Sequence, residues 1–292
     1  MIPGSIRTEV EAVVGTVEDA RPVGGGCIAH ATRIEAKSRA YFLKWNDGEA
    51  GRSFEDEATG LRTLRAAAND LLIPDVLGVR NAGDAPGFLL LEWIEPGRPS
   101  ADGWRMFGEA LATMHRADAS GAGQYGFESD NWIGSKPQRN GWFESWPEFF
   151  GEKRLRAQAE TVRQRGAWNA PWDPPLDRLI ARLPELLPER PQPSVLHGDL
   201  WSGNALPASD GRFAIVDPAV YVGHREADLA MTELFGGFTR DFYDGYRAAW
   251  PLEPGYETRR DIYNLFHLIN HLTHGPGYAG SVEAILRRFG SR

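Results

Sequence analysis

His197-Gly198-Asp199-Leu200-Trp201-Ser202-Gly203-Asn204 follows a short apolar run that starts at Ser194, and a second short run leads into Ile215-Val216-Asp217-Pro218-Ala219. Two apolar runs of strand length around a segment rich in turn-forming residues read as strand, ordered loop, strand. The loop presents a carboxylate and then a carboxamide, Asp199 and Asn204, with four residues between them. A second carboxylate, Asp217, comes thirteen residues after Asn204, at the end of the second strand. Alone, a His-Gly-Asp is an ordinary turn after a strand, so a chemical reading requires partners elsewhere in the chain.

The partners lie upstream. Val17 to Val23, the run Gly24-Gly25-Gly26, and Ala31 to Ala36 read as strand, tight loop, strand, and Tyr41-Phe42-Leu43-Lys44-Trp45 as a third strand. From Phe54 to Ala68 the period changes: Phe54, Ala58, Leu61 and Leu64 fall at helical spacing, and Glu55, Asp56 and Glu57 gather near the start, where the helix dipole favours anions. Val76 to Val79 and Phe88 to Ile94 are two further strands joined by turn residues. After Glu95-Pro96-Gly97 the pattern shifts to helix, with Trp104 to Arg116 amphipathic and the chain helical again from about residue 226. Tyr125 to Trp146, rich in aromatic residues, Gly, Pro and Asn, reads as an ordered loop. The expectation is an α+β chain of two lobes. Residues 1–94 form a small lobe of antiparallel sheet plus one helix, and residues 95–292 a larger, mainly helical lobe.

Phosphoryl transfer needs few parts: a backbone cradle and a lysine for the phosphates, oxygen ligands for magnesium, and a carboxylate for the attacking hydroxyl. The kinase pattern H-x-D-x-x-x-x-N is matched by His197, Asp199 and Asn204, which makes Asp199 the catalytic base and Asn204 a magnesium ligand. Asp217 stands where the second acid of that pattern sits and is the principal metal ligand, because magnesium prefers hard oxygen donors from one or two protein groups plus phosphate. Strand-borne Lys44 and helix-borne Glu57 have the order and separation of an ion pair that holds a lysine on ATP. Gly24, Gly25, Gly26, Cys27 and Ile28 form a phosphate-covering loop by position, since small residues let backbone N–H groups approach the phosphates. Each feature alone has a plainer reading: a surface Lys or Glu, a flexible hairpin. Their joint order is what favours an ATP- and magnesium-dependent kinase.

The string at 197–204, with Asp130-Asn131-Trp132-Ile133-Gly134 and Pro137-Gln138-Arg139-Asn140-Gly141-Trp142, resembles the fructosamine (ketosamine) kinase family, within the aminoglycoside and choline kinase-like group of protein-kinase-like folds. The match runs from about Val23 to the C-terminal helices. It implies phosphorylation of a sugar hydroxyl on a fructosamine or ribulosamine, which destabilises the adduct and permits deglycation. Leu89-Leu90-Leu91-Glu92-Trp93-Ile94 resembles a kinase hinge, which implies adenine bonding to the Glu92 carbonyl and the Ile94 amide. Trp201 would border the substrate hydroxyl, with Asp130, Asn131 and Trp132 as further substrate candidates; His197 and Asp228 would support the catalytic loop. Ala29-His30 and Trp93 depart from the family pattern, which leaves amine-side specificity open.

Composition narrows the partners. The chain has 292 residues, a net charge of −8 and no apolar stretch of membrane-spanning length, so neither nucleic acid nor a lipid surface is an expected partner. Met1-Ile2-Pro3-Gly4-Ser5 lacks the look of a secretory signal, which points to the cytoplasm. Cys27 is the single cysteine, inside the phosphate loop, where a thiolate would be favoured. The expectation is a monomer, with a redox-dependent dimer through Cys27 as its oxidised form. His267, His271 and His274 share helical spacing, which reads as partial burial or cleft lining ahead of metal binding. The competing readings are a kinase for another small alcohol, such as an aminoglycoside or choline-like compound, and a silent nucleotide-binding regulator. The complete set Lys44, Glu57, Asp199, Asn204 and Asp217 argues against the regulator.

Overall fold

Side-chain alternation builds the first layer. In the computed structural model, which describes residues 2–24, 29–117 and 123–291, helix α1 (Gly4–Val14) precedes strands β1 (Asp19–Pro22), β2 (His30–Ala36) and β3 (Arg39–Asn46). Helix α2 (Phe54–Ala67) and strands β4 (Val76–Arg80) and β5 (Gly87–Glu92) follow. The sheet is antiparallel in the order β1-β2-β3-β5-β4. Successive strand residues point to opposite faces, so Leu43, Phe88 and Leu90 join Ile34 against Ile6, Val10 and Val14 of α1. Leu89 and Leu91 go to the other face, with Phe54 and Leu61 of α2.

Helix α1 adds to the single helix read from the sequence of this lobe. Its Ile6, Val10 and Val14 recur every fourth residue and are buried, yet the helix has no side-chain cap and opens behind Pro3, so its start carries little signal. The strand expected over Phe88–Ile94 stops at Glu92.

The rest of the chain is mainly helical: α3 (Ala101–Arg116), the hairpin β6 (Asn131–Ile133) and β7 (Lys136–Gln138), α4 (Trp146–Phe149), a π-helical stretch Phe150–Arg156, α5 (Ala157–Gln164) and α6 (Asp173–Leu186). Then come β8 (Pro193–Leu196), β9 (Ala205–Pro207), β10 (Phe213–Ile215), β11 (Tyr221–His224), α7 (Glu226–Leu234), α8 (Arg240–Ala249), α9 (Tyr256–His271) and α10 (Ala279–Phe289). Helix α3 is capped by Ser100, whose side chain accepts from Gly103 N at 3.0 Å, and ends in His115-Arg116, a basic last turn that suits the dipole. The aromatic stretch 125–146 is ordered around the β6–β7 hairpin.

Two backbone seams join the parts. Leu72 pairs with the β10 strand, Leu72 N to Phe213 O at 3.1 Å and Ile215 N to Leu72 O at 3.0 Å; Gly97 N donates to Pro207 O at 2.8 Å. A continuous apolar core runs across them, from Phe54, Leu61 and Leu89 to Leu111, Val195, Leu200 and Ile215. The loops after β8 and β10 therefore face the sheet that carries Lys44.

Candidate active site

Lys44 lies on β3 between Ala31 of β2 and Leu89 of β5, in the middle of the sheet. Its ammonium is 2.9 Å from both carboxylate oxygens of Glu57, in the first turn of α2, and 2.7 Å from Oδ1 of Asp217. Burial works against the charge of Lys44, but the Asp217 and Glu57 carboxylates outweigh it and hold its pKa well above the ordinary lysine range. The two acids differ. Glu57 is the deeper and burial pushes it up, whereas the half-exposed Asp217 is held low by Lys44 despite desolvation. Asp217 has φ +55°, a left-handed conformation that costs a non-glycine residue about 1 kcal/mol and aims its side chain across the cleft.

The loop after β8 is built around two contacts. Gly198 has φ +81°, and a Cβ there would lie 2.0 Å from the Ala219 carbonyl oxygen, so only glycine fits. Leu200 is fully buried and pins the loop to the core. Asn204 Nδ2 donates to the Asp199 carbonyl at 2.9 Å, and Val216 N to the Asn204 carbonyl at 3.1 Å. Its Nδ2 thus faces the loop backbone, and the amide offers Oδ1 as its acceptor.

His197 and Asp228 hold this loop from beneath. The backbone N–H groups of His197 and Gly198 donate to separate oxygens of Asp228, at 2.7 and 2.9 Å. Burial depresses the His197 pKa, leaving a neutral ring that donates from Nε2 to Val216 O at 2.9 Å and accepts at Nδ1 from Asp199 N at 3.3 Å. Asp228 is buried on α7. His115 of α3 meets it at 3.2 Å through Nε2, and Tyr246 of α8 meets His115 Nδ1 at 2.9 Å. Desolvation opposes the charge of Asp228, but the His115 contact and the two N–H donors keep its pKa below the usual carboxylate range. His115 and Tyr246 escaped sequence reasoning, because no short motif links residues from three distant helices.

Asp199 is pushed up to about 7, first by burial and then by the Asp217 and Asp228 charges, with Lys136 opposing. That places its proton affinity near the range a general base uses at neutral pH. Lys136 of β7 is the other residue sequence reasoning missed. It is buried, its Nζ lies 3.3 Å from His274 Nε2, and burial with the nearby Arg165 charge lowers it to about 8.

The remaining candidates are distributed as follows. Trp201 is 41% exposed beside the loop, its ring lying over Gly203. Asp130 accepts from Arg139 Nη1 at 2.6 Å and Asn140 N at 2.7 Å, and Asn131 donates to Val220 O at 2.7 Å. The polar atoms of both are thus engaged within the protein, while Trp132 faces α2. Glu92 ends β5 and exchanges hydrogen bonds with Asp75; Trp93 and Ile94 follow as irregular chain. Gly24 lies just past β1, whereas Gly25, Gly26, Cys27 and Ile28 lie outside the described residues. His267 is buried in α9, His271 Nδ1 contacts the His267 carbonyl at 2.8 Å, and His274 lies in the following turn beside Lys136. Among the described residues no three His, Cys, Asp or Glu side chains form a metal cluster.

The sequence profile of the fructosamine kinase family matches residues 5–291. A Synechocystis protein named as a probable ketoamine kinase is 40% identical over 274 residues, 93% of this chain and 90% of that one. The rice (Oryza sativa subsp. indica) chloroplastic protein-ribulosamine 3-kinase is 39% identical over 266 residues, 90% of this chain and 76% of that protein. The crystal structure of a candidate fructosamine-3-kinase from Thermobifida fusca superposes with a TM-score of 0.85 at 29% identity, covering 98% of each chain. An aminoglycoside phosphotransferase crystallised with AMP-PNP and hygromycin B superposes at 0.67 with 17% identity over 97% of this chain and 98% of that one, which shows a shared fold. The fold is α+β, bilobal and protein-kinase-like.

Proposed function

The chain belongs to the fructosamine kinase family and is a phosphotransferase; we propose that it transfers the γ-phosphoryl group of ATP, with Mg2+, to a sugar hydroxyl of a ketosamine, a fructosamine or ribulosamine, as a deglycation step. The observation that carries this reading is Lys44 held between Glu57 and Asp217, opposite a loop that presents Asp199 and Asn204. Residues 1–94 are assigned to nucleotide binding and 95–292 to catalysis and the acceptor.

The donor set suits magnesium. It consists of one carboxylate, Asp217, and one amide oxygen, that of Asn204, with no sulfur and with the His197 ring turned away to Val216. Asp217 and Asn204 would hold magnesium, which would supply positive charge that offsets the negative charge developing on the phosphates during transfer. Lys44 would orient the phosphates, and the loop from Gly24 to Ile28 would cover them. The Glu92 carbonyl and Ile94 amide would take the adenine. Asp199 accepts the proton of the acceptor hydroxyl as that oxygen bonds to phosphorus and the bond to the ADP oxygen breaks. His197 and Asp228 keep the Asp199 backbone fixed, and Trp201 offers an apolar face beside the acceptor.

An ADP-release assay with ATP, magnesium and a panel of fructosyl and ribulosyl amines, aminoglycosides and choline tests the proposal. Turnover with the ketosamines is expected; turnover confined to the other alcohols would overturn the substrate assignment.

A further inference from the structure

The β6–β7 hairpin touches both sides of the cleft. Asn131 Nδ2 donates to the Val220 carbonyl at 2.7 Å, and Gln138 Nε2 donates to the Ala219 carbonyl at 2.9 Å. The amides are tied to each other: Gln138 Nε2 also reaches Asn131 Oδ1 at 2.9 Å, and Asn140 Nδ2 reaches the same oxygen at 3.2 Å. Arg154 anchors the set, donating from Nη2 to Asn140 Oδ1 at 2.8 Å, with its guanidinium 3.9 Å over the ring of Tyr221. All four polar side chains are buried. The backbone two and three residues after Asp217 is therefore held by side-chain amides of the hairpin.

The same hairpin meets α2. Burial raises the Asp56 pKa, and the side-chain hydrogen bond from the Trp132 indole N–H opposes it in part. Asp56 immediately precedes Glu57. Helix α2 also rests on the held segment, since a Cβ at Gly60 would lie 3.1 Å from Pro218 and 3.2 Å from Val220.

Such holding has a physical purpose. Glu57 and Asp217 share one ammonium and repel each other, and Asp217 keeps a left-handed backbone. A strained residue persists where its surroundings over-determine it. We propose that the β6–β7 hairpin is a clamp between the lobes: Asn131 and Gln138 fix the segment that carries Asp217, Trp132 fixes α2 through Asp56, and together they register Glu57 and Asp217 on Lys44. Asn131, Trp132 and Gln138 are then positioning residues rather than substrate contacts. The inference rests on the phosphotransfer reading of the Lys44 site and is independent of which alcohol accepts the phosphate.

Trp132→Phe keeps an aromatic ring and loses the N–H; Asp56→Asn removes the charge it faces. Both single variants and the double variant are titrated calorimetrically with ATP and magnesium in the absence of acceptor, and their melting is recorded. Each single variant should weaken nucleotide binding or lower kcat by about 5–10-fold, less than the full worth of one hydrogen bond to a charged group because the effect reaches Lys44 only through α2. The double variant should be no worse than either single one, and the acceptor KM should stay within about twofold of wild type. Gln138→Ala should repeat the nucleotide-side loss. A raised acceptor KM with wild-type nucleotide titration would make Trp132 a substrate contact and overturn the clamp. Fully additive losses, or a lowered melting point with unchanged titration and kcat, would overturn it as well. Because the titration contains no ketosamine, it stands even if the acceptor proves to be another alcohol.

Discussion

Asp228→Asn removes one acceptor and one charge at a point where three partners converge. The wild-type carboxylate accepts from His197 N and Gly198 N on separate oxygens, at 2.7 and 2.9 Å, and meets His115 Nε2 at 3.2 Å, all in the interior. Asparagine has one acceptor oxygen, so its NH2 group must face one of the two backbone donors. The bond that survives becomes neutral, a loss of about 1 kcal/mol, and the lost one leaves buried donors unsatisfied at about 1–3 kcal/mol beyond the bond itself. Removing the charge recovers part of its desolvation cost, so the net is about 3–5 kcal/mol rather than the sum of three charge-assisted bonds. At roughly 2–4 °C per kcal/mol, melting followed by circular dichroism should fall by about 10 °C. The loop carrying Asp199 shifts with it, and a displacement of about 1 Å should lower kcat on the order of 100-fold. A melting point within about 2 °C of wild type together with near-normal kcat would refute the bracing role.

Asp199→Asn should abolish transfer while ATP binding by calorimetry changes by less than about threefold, because the base touches the acceptor hydroxyl rather than the nucleotide. Asp217→Asn should lose magnesium-dependent ATP binding, since a charged oxygen ligand is gone; an unchanged titration with magnesium would contradict the ligand assignment. kcat/KM should fall on the acid side of about pH 7, where Asp199, raised by burial and by the Asp217 and Asp228 charges, takes up its proton; a flat profile down to pH 5 would exclude it as the base. The buried histidines work against stability in the same direction, whereas Asp199 and Glu57, which bind protons more tightly folded than unfolded, offset part of that loss. His224 and His267 are both held near 3, mainly by burial, against 6.5 in the unfolded chain. The unfolded state therefore gains protons first as the pH drops, and stability is lost between about 6.5 and 3. At pH 5 each histidine alone costs about 2 kcal/mol, which urea unfolding curves at several pH values measure as the difference between wild type and His267→Phe.

Local sequence carried the parts of the site that one strand-loop-strand unit can hold. His197, Asp199 and Asn204 sit on a single loop, and Asp217 follows β10, so their spacing maps directly onto space. Lys44 and Glu57 were suggested by order along the chain, and the sheet and α2 bring them to 2.9 Å. Other features depend on contacts between distant segments. Asp228 of α7 is legible through the family resemblance, but its partners His115 and Tyr246 come from α3 and α8, and Lys136 is recognisable as a buried cation only once β7 is packed. Asp130, Asn131 and Trp132 read as substrate candidates through the family resemblance of the string they stand in. In the structure the polar atoms of Asp130 and Asn131 serve the protein's own backbone and side chains, and Trp132 faces α2. Helix α1 carried a readable i, i+4, i+8 pattern in Ile6, Val10 and Val14, but without a capping residue to mark its start.

The central claim is that phosphate moves from ATP to the sugar of a ketosamine. Phosphorus NMR and mass spectrometry of a fructosyl or ribulosyl amine incubated with the enzyme, ATP and magnesium test it most directly. The account predicts one phosphoryl group on a sugar hydroxyl, formed by wild type and absent with Asp199→Asn. An unmodified ketosamine alongside a phosphorylated aminoglycoside or choline, or phosphate formed equally by both proteins, would contradict it.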